Sequence, residues 1–131
     1  MGPLSSPAVP ARVVVVDDDD DVREVIDMVL AGAGHSVRAT ASGFEALHWL
    51  EEQPWDLLLI DVRMPEIDGP TLYREVLARW PRAAARVLFV SGLDEMTHYD
   101  NTVKTLNVPI LFKPFTLDEL RATVALVLET I

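Results

Sequence analysis

Four separate apolar runs of the sequence each end in a side chain that could do chemistry. Five consecutive aspartates, residues 17–21, follow the run VVVV. Asp61 ends WDLLLID, Ser91 ends RVLFVS, and Lys113 follows PILF. Carboxylates bind hard divalent cations, and hydroxyl and ammonium groups donate to phosphoryl oxygens. If the fold brings these positions together, they form a site with this combined chemistry.

The elements that position these residues alternate between strands and helices. Apolar runs rich in β-branched residues predict strands, and apolar residues spaced three and four apart predict the helices between them. Five strands and five helices in this order predict an α/β fold, a doubly wound parallel sheet with right-handed crossovers and helices on both faces. The predicted strands are residues 13–16, 36–40, 55–61, 86–91 and 108–112, and the helical stripes fall within residues 22–30, 44–50, 72–80, 96–106 and 117–131.

Such a sheet binds ligands beyond the carboxyl ends of its strands, near the point where the strand order reverses. Carboxylates a few ångströms apart repel one another by about 4 kcal/mol per pair at an effective dielectric constant of about 20, which favours a bound cation between them. Mg2+ takes oxygen ligands and would fit Asp18, Asp61 and a backbone carbonyl near Arg63. The side chains expected to meet in this shallow site are Asp17, Asp18, Asp61, Ser91 and Lys113.

A carboxylate beside Mg2+ can act as the nucleophile toward a phosphoryl group and form an aspartyl phosphate. Such a reaction depends on positioning and charge neutralisation rather than on acid and base chemistry. Lys113 would pair with one phosphoryl oxygen, and the Ser91 hydroxyl would donate to another. Asp61 is the predicted nucleophile because its strand is central and it faces both groups.

Other polar residues are assigned structural roles. Asp19, Asp20 and Asp21 are expected to cap and stabilise the first helix through its dipole, with Asp19 also close enough in sequence to line the cation site. Gly69 is expected to supply a positive φ in the turn that follows Asp68. Two capping boxes are predicted, Ser42 with Glu45 and Thr116 with Glu119.

Bulk properties exclude several classes of protein. The 131 residues are enough for one domain, and the absence of cysteine excludes disulfides and favours a cytoplasmic setting. A net charge of -10 opposes direct binding to nucleic acid, and no run reaches the roughly 18 apolar residues of a membrane span. Residues 1–11 are interpreted as a disordered leader or linker, and residues 12–131 as the folded domain.

Residues 12–131 resemble the receiver domain of two-component response regulators. The resemblance lies in the acidic pair of VVVVDD, the aspartate of LLLIDVRMPEIDG, the serine of LFVSG and the lysine of LFKPF. It implies a flavodoxin-like (βα)5 fold with strand order 2-1-3-4-5. It also implies that Asp61 accepts a phosphoryl group from a histidine kinase or a histidine phosphotransfer protein, that Asp18 and Asp61 bind Mg2+ with support from Asp17, and that Ser91 reports phosphorylation. A cis peptide bond between Lys113 and Pro114 is expected on the same ground.

One position departs from the family pattern. Three residues before the lysine the family often has a Tyr or Phe that swings inward when the serine moves, whereas this chain has Ile110. The resemblance implies a switch that alters the packing of the predicted helix at residues 96–106, the fifth strand and the last helix. Output would come from a partner protein, from dimerisation or from a further domain, and the run NVPILFKPF is similar to receivers of hybrid sensor kinases. The domain would catalyse its own phosphorylation and slow dephosphorylation without being a conventional enzyme.

Two alternative functions fit parts of the pattern. VVVVDDDDDV also satisfies the aspartate motif of haloacid dehalogenase-type phosphatases, which would make Asp17 the nucleophile. Only Asp118, Glu119 and Glu129 follow Lys113, however, and all three lie on the last predicted helix, where that family needs a further acidic motif. The second alternative is a receiver-like interaction module that is never phosphorylated.

Overall fold

The fold is described by a computed structural model over residues 10–92 and 106–131. The strands are β1 (Arg12–Val16), β2 (Ser36–Thr40), β3 (Leu57–Asp61), β4 (Val87–Gly92) and β5 (Ile110–Lys113). The helices are α1 (Asp20–Gly32), α2 (Gly43–Glu52), α3 (Gly69–Arg79), a 3-10 helix (Pro81–Arg86) and a C-terminal helix (Leu117–Glu129). The helix predicted within residues 96–106 lies almost wholly outside the described residues.

The five strands form one parallel sheet in the order β2-β1-β3-β4-β5. This confirms the predicted fold class and strand order. The strand order reverses between β1 and β3, which are both interior strands. The carboxyl ends of β1 and β3 therefore lie side by side at the place where such sheets bind their ligands.

Alternate residues of the interior strands pack into two separate cores. One core, on the side of α2 and α3, contains Val14, Val16, Leu58, Ile60 and Phe89. The other, on the side of α1 and the C-terminal helix, contains Val13, Val15, Leu57, Leu59, Leu88 and Val90. Because both faces of the sheet are covered, the central strands need the continuous apolar runs seen in the sequence. Within the described residues, no helix combines the length and the apolar character of a membrane span.

Helix α2 differs from the predicted pattern. Phe44 was expected in the buried stripe, but 56% of it is exposed, and Gly43, Ala46, Leu47 and Leu50 are buried instead. The stripe at i, i+3 and i+4 thus starts one residue earlier than the aromatic residue suggested. In the C-terminal helix, the predicted core residues Leu120, Val124 and Val127 are buried, whereas Leu117 at its start and Ile131 beyond its end are exposed.

The two predicted capping boxes have different outcomes. Thr116 and Glu119 form a complete box, with both reciprocal hydrogen bonds present. Ser42 accepts from the Glu45 amide at 3.2 Å, but the Glu45 carboxylate accepts from the Thr40 hydroxyl at 2.5 Å. Glu45 therefore ties α2 to the end of β2 rather than closing a box.

The amino ends of the strands lie at the opposite end of the sheet from the carboxyl ends of β1 and β3. We call this end the amino edge and the other end the carboxyl edge. The amino edge includes Ala11, Arg12, His35, Ser36 and Asp56. Ala11, the last residue of the predicted leader, is 5% exposed, donates to His35 Nδ1 at 3.0 Å and accepts from the Ser36 amide at 2.9 Å. Asp56 accepts from the Arg12 amide at 2.8 Å and from Arg12 Nε at 3.2 Å. Ordered packing at this edge therefore includes Ala11.

Candidate functional site

The predicted site residues converge at the carboxyl ends of four strands. Asp17 directly follows β1, Asp61 ends β3, Ser91 lies near the end of β4 and Lys113 ends β5. One carboxylate oxygen from each of Asp17, Asp18 and Asp61 lies within 4.8 Å of the others. Lys113 Nζ lies 3.2 Å from Asp17 Oδ2 and 3.6 Å from Asp61 Oδ1. We call these five residues the acidic site.

Most of the acidic site is shielded from solvent. Asp17 and Asp61 are each 1% exposed and Ser91 is fully buried, while Asp18 is exposed and Lys113 is partly exposed. Burial raises the pKa of Asp17 and the Asp18 charge adds to this, although the Asp19 backbone amide and the Lys113 ammonium act in the opposite direction. The Lys113 ammonium thus contacts two buried carboxylates beside the exposed Asp18, and this excess of negative charge favours binding of a further cation.

Asp17 is held by bonds to its backbone and to one carboxylate oxygen. Its amide donates to the Thr40 carbonyl at 3.1 Å, and its Oδ1 accepts from the Asp19 amide at 2.9 Å. Its Oδ2 is buried and, among the described residues, has no hydrogen-bond partner other than the Lys113 ammonium at 3.2 Å. An oxygen in this state is suited to binding a hard cation, so the residues present fit Mg2+.

The remaining aspartates of the five-residue run have the structural roles that were predicted. Asp19 is the N-cap of α1, where its Oδ1 accepts from the amides of Asp21 and Val22. Asp20 and Asp21 occupy the first turn, where negative charge is stabilised by the helix dipole. Among the described residues, the group of carboxylates that could hold a metal contains Asp17, Asp18 and Asp61 and does not include Asp19.

The loop after β3 folds back on Asp61. The Arg63 amide donates to Asp61 Oδ1 at 3.4 Å, and the Gly69 amide donates to the Val62 carbonyl at 2.8 Å. Asp68 is the N-cap of α3 and accepts from the Thr71 amide, which agrees with its predicted turn role. The participation of the Arg63 carbonyl in metal binding stays a prediction.

Gly69 is required for a different reason from the one predicted. It has no positive φ; among the described non-glycine residues of this loop, Glu66 does, at 70°. A Cβ on Gly69 would lie 2.6 Å from the Asp61 carbonyl oxygen and 2.8 Å from Val62 Cα. The absence of a side chain therefore lets α3 begin directly against the backbone that carries Asp61.

The strands on the other side of Asp61 carry the remaining predicted residues. The Ser91 hydroxyl donates to the Gly92 carbonyl at 3.0 Å. Ile110 is partly buried, lies opposite Phe89 in the β4–β5 register and packs against the core on the α2 and α3 side. The peptide bond between Lys113 and Pro114 is cis, as predicted.

Two contacts in or next to the acidic loop, the segment of residues 17–19 between β1 and α1, were not predicted. Arg23 Nη1 donates to the Asp17 carbonyl at 2.8 Å, and its other terminal nitrogen pairs with Asp20. The Thr40–Glu45 hydrogen bond stabilises the end of β2, whose Thr40 carbonyl accepts from Asp17. For Arg23 the available signal was a single basic residue three positions after Asp20, inside an acidic segment.

Comparison with known proteins assigns the class of this fold and site. Residues 13–125 match the family model of the response regulator receiver domain. The chain belongs to this family and is a receiver domain of two-component systems. Membership agrees with the receiver interpretation of the four motifs and disfavours the phosphatase alternative.

Individual relatives differ in architecture. The chain is 40% identical over 121 residues to the sensor kinase CckA of Brucella abortus, covering 91% of this chain and 13% of that protein. It is 31% identical over 109 residues to the response regulator receiver protein CpdR of the same organism, covering 83% of this chain and 89% of that protein. The solved structure of the chemotaxis response regulator CheY4 of Vibrio cholerae superposes with a TM-score of 0.79 at 26% identity, covering 91% of this chain and 99% of that one. The chain thus matches both a small part of a large kinase and nearly whole single-domain proteins.

Proposed function

We propose that this domain is a phosphoacceptor in a two-component or phosphorelay system and that Asp61 receives the phosphoryl group. The observation that carries the proposal is the placement of Lys113 within 3.6 Å of Asp61 beside two further carboxylates, at the reversal point of the sheet. A structural acidic loop would not need a lysine from β5, which lies two strands away from β3. The proposed donor is the phosphohistidine of a histidine kinase or of a histidine phosphotransfer protein.

In the proposed reaction, Asp61 acts as the nucleophile. A carboxylate oxygen forms a bond to phosphorus while the bond between phosphorus and the histidine nitrogen breaks, and the electron pair of that bond goes to the imidazole. Asp61 thereby becomes an aspartyl phosphate. The Arg63 amide, 3.4 Å from Asp61 Oδ1, orients the carboxylate for this attack.

The other site residues bind the charge that is transferred. Asp18, Asp61, Asp17 and the backbone carbonyl of Arg63 would hold Mg2+, which when bound neutralises carboxylate and phosphoryl oxygens. Lys113 pairs with a phosphoryl oxygen through the ammonium that contacts Asp17 and Asp61. Hydrolysis of the aspartyl phosphate by water would return the domain to its starting state.

We further propose that Ser91 couples phosphorylation to a change in packing. Its hydroxyl, which donates to Gly92, would donate to the phosphoryl group instead and draw the end of β4 toward Asp61. Ile110 has no polar group, so the signal would travel through β4 and β5 backbone movement rather than through a tyrosine hydroxyl. Phosphorylation switches the domain only to the extent that it stabilises one of two packings over the other.

The surface that changes would include β5 and the C-terminal helix, together with the helix predicted within residues 96–106, which lies almost wholly outside the described residues. This surface would bind a downstream protein, an output domain or a second copy of the chain. The similarity to CckA suits a receiver joined to a sensor kinase, and the similarity to CpdR suits one that acts alone. We place the phosphoryl transfer in the cytoplasm, a reducing compartment that accords with a sequence without cysteine.

The first test is the intact mass of the protein after incubation with Mg2+ and acetyl phosphate. We expect wild type to gain one phosphoryl group that hydroxylamine removes, and we expect Asp61→Asn to gain none. Asp56→Asn, which changes an aspartate of the amino edge, is the matched control and should be phosphorylated like wild type.

Two results would reject the proposal. Absence of an adduct on the wild-type protein would support an interaction module without phosphorylation. An adduct that persists in Asp61→Asn but disappears in Asp17→Asn would assign the nucleophile to Asp17, as in the phosphatase alternative.

A further inference from the structure

Arg23 reaches back from α1 to the acidic site through two contacts. It lies on the first turns of the helix, where Nη1 donates to the Asp17 carbonyl at 2.8 Å. The other terminal nitrogen forms an ion pair with Asp20, three residues earlier on the same helix. Only 21% of the Arg23 side chain is exposed, compared with 51% for Arg121, which forms an i,i+3 ion pair with Asp118 on the C-terminal helix.

The carbonyl that Arg23 binds belongs to the peptide that joins Asp17 to Asp18. Because a peptide unit is planar, the orientation of this peptide influences the direction in which the Asp18 side chain points. Asp17 is already fixed by Thr40 and by the Asp19 amide, whereas Asp18 is exposed and follows the peptide. Arg23 therefore fixes the peptide group that connects Asp17, whose carboxylate is buried, to Asp18, whose carboxylate is exposed.

We propose that Arg23 is a positioning residue that sets the distance between the Asp17 and Asp18 carboxylates and thereby the affinity for a divalent cation. The inference rests on the proposed function, since it concerns the same cation site. The forked guanidinium of Arg23 binds the Asp17 carbonyl and the Asp20 carboxylate at the same time. A lysine ammonium would bind two such groups less well.

Positioning and simple electrostatics predict opposite effects for the loss of Arg23. A positive charge beside a cation site repels the cation, so removing it should strengthen Mg2+ binding if charge alone matters. Removing a residue that orients a metal ligand typically weakens metal binding by about 10- to 100-fold. The direction of the change therefore distinguishes the two roles.

The experiment is a Mg2+ titration of wild type, Arg23→Ala and Arg121→Ala, followed by the amide signals of residues 17–20 in NMR spectra. We expect Arg23→Ala to bind Mg2+ about 10-fold or more weakly than wild type. Arg121→Ala removes the same charge and a similar i,i+3 ion pair without touching the acidic loop, so its affinity should equal that of wild type.

Arg23→Lys is a second variant that keeps the charge and loses the fork. We expect its affinity to lie between those of wild type and Arg23→Ala, and thermal unfolding establishes that each variant is folded. If Arg23→Ala does not fold, the lysine variant decides the question, because charge alone predicts an affinity equal to that of wild type.

The outcomes separate this inference from the proposed function. Wild-type binding of Mg2+ together with equal or tighter binding by Arg23→Ala, or with wild-type affinity in Arg23→Lys, would overturn the inference and leave the phosphoacceptor proposal intact. Absence of Mg2+ binding by the wild-type protein would overturn both. Phosphorylation of Arg23→Ala by acetyl phosphate that recovers at high Mg2+ concentration would support positioning of the cation site.

Discussion

Two aspartates at opposite edges of the sheet each contact a cation, yet their pKa values are displaced in opposite directions. At the amino edge, partial burial acts to raise the pKa of Asp56, but hydrogen bonds from the Arg12 side chain and amide, together with the charges of Arg12 and Arg86, outweigh it and lower the pKa. At the carboxyl edge, burial of Asp17 outweighs the Asp19 amide and the Lys113 charge and raises the pKa. The number of donors per carboxylate and the depth of burial decide which effect prevails.

The two ends of the sheet differ in how many cationic side chains are available to each buried or partly buried carboxylate. The Arg12 donors satisfy Asp56 within the protein, whereas Lys113 is shared between Asp17 and Asp61. Asp56 is therefore neutralised by its own arginine, whereas we expect the acidic site to be completed by a bound cation. We expect such an arrangement of carboxylates to reduce the stability of the domain when no cation is bound.

The largest effect is expected at Gly69, where α3 begins against the backbone of Asp61 and Val62. In Gly69→Ala the new Cβ would meet backbone atoms of Asp61 and Val62 at 2.6 and 2.8 Å, so the backbone must move. We expect a loss of about 1–3 kcal/mol in the free energy of unfolding, measured with urea. Gly32→Ala is the matched control at the end of α1, where a Cβ meets no atom within 4 Å, and it should gain about 0.5–1 kcal/mol. Equal stabilities of the two variants would contradict the close approach at Gly69.

The same substitution at the two aspartates should have effects of opposite sign. Asp17→Asn removes a buried charge while its Oδ1 can still accept from the Asp19 amide, and we expect a gain of about 0.5–2 kcal/mol in the free energy of unfolding. Asp56→Asn removes a partly exposed ion pair with Arg12, and we expect a loss of about 0.2–1 kcal/mol. Urea titrations at pH 7 without Mg2+ measure both changes. Destabilisation by both substitutions would show that Lys113 fully compensates Asp17.

The smallest effect concerns the dependence of these differences on pH. Because the folded-state pKa of Asp17 is raised above 3.8, Asp17 contributes stability at low pH that is lost as the pH rises through the folded pKa. The advantage of Asp17→Asn over wild type should therefore grow from pH 4 to pH 7. The pKa of Asp56 is lowered below 3.8, so its contribution is present above that pH and is lost on further acidification. The disadvantage of Asp56→Asn should accordingly shrink as the pH falls below 3.8, and a difference that does not vary with pH would contradict the assignment.

The sequence was sufficient to predict the sheet and the convergence of the acidic site. Interior strands of a parallel sheet are buried on both faces, so β1, β3 and β4 appear as continuous apolar runs. The polar ends of these strands and of β5 lie at the same end of the parallel sheet, which is why Asp17, Asp61, Ser91 and Lys113 could be placed together from the sequence. The functional roles of these residues remain predictions.

Details that depend on competition between neighbours could not be predicted. Glu45 fits a capping box by spacing, but Thr40 offers its carboxylate a buried donor that only the folded β2 brings near. Gly69 fits a turn by residue type, but the approach of α3 to the Asp61 backbone is a tertiary contact. Arg23 was not predicted because the Asp17 carbonyl, a backbone group, is its main partner.

The four residues of β5 pair with β4 alone, since β5 is the last strand of the sheet. Lys113 therefore lies on an edge strand, whereas Asp17 and Asp61 lie at the ends of strands bonded on both sides. A displacement of β5 alters the distance from the ammonium to both carboxylates without breaking a hydrogen bond of β1 or β3. The acidic site thus joins two carboxylates on strands that are paired on both sides to an ammonium on a strand that is paired on one side.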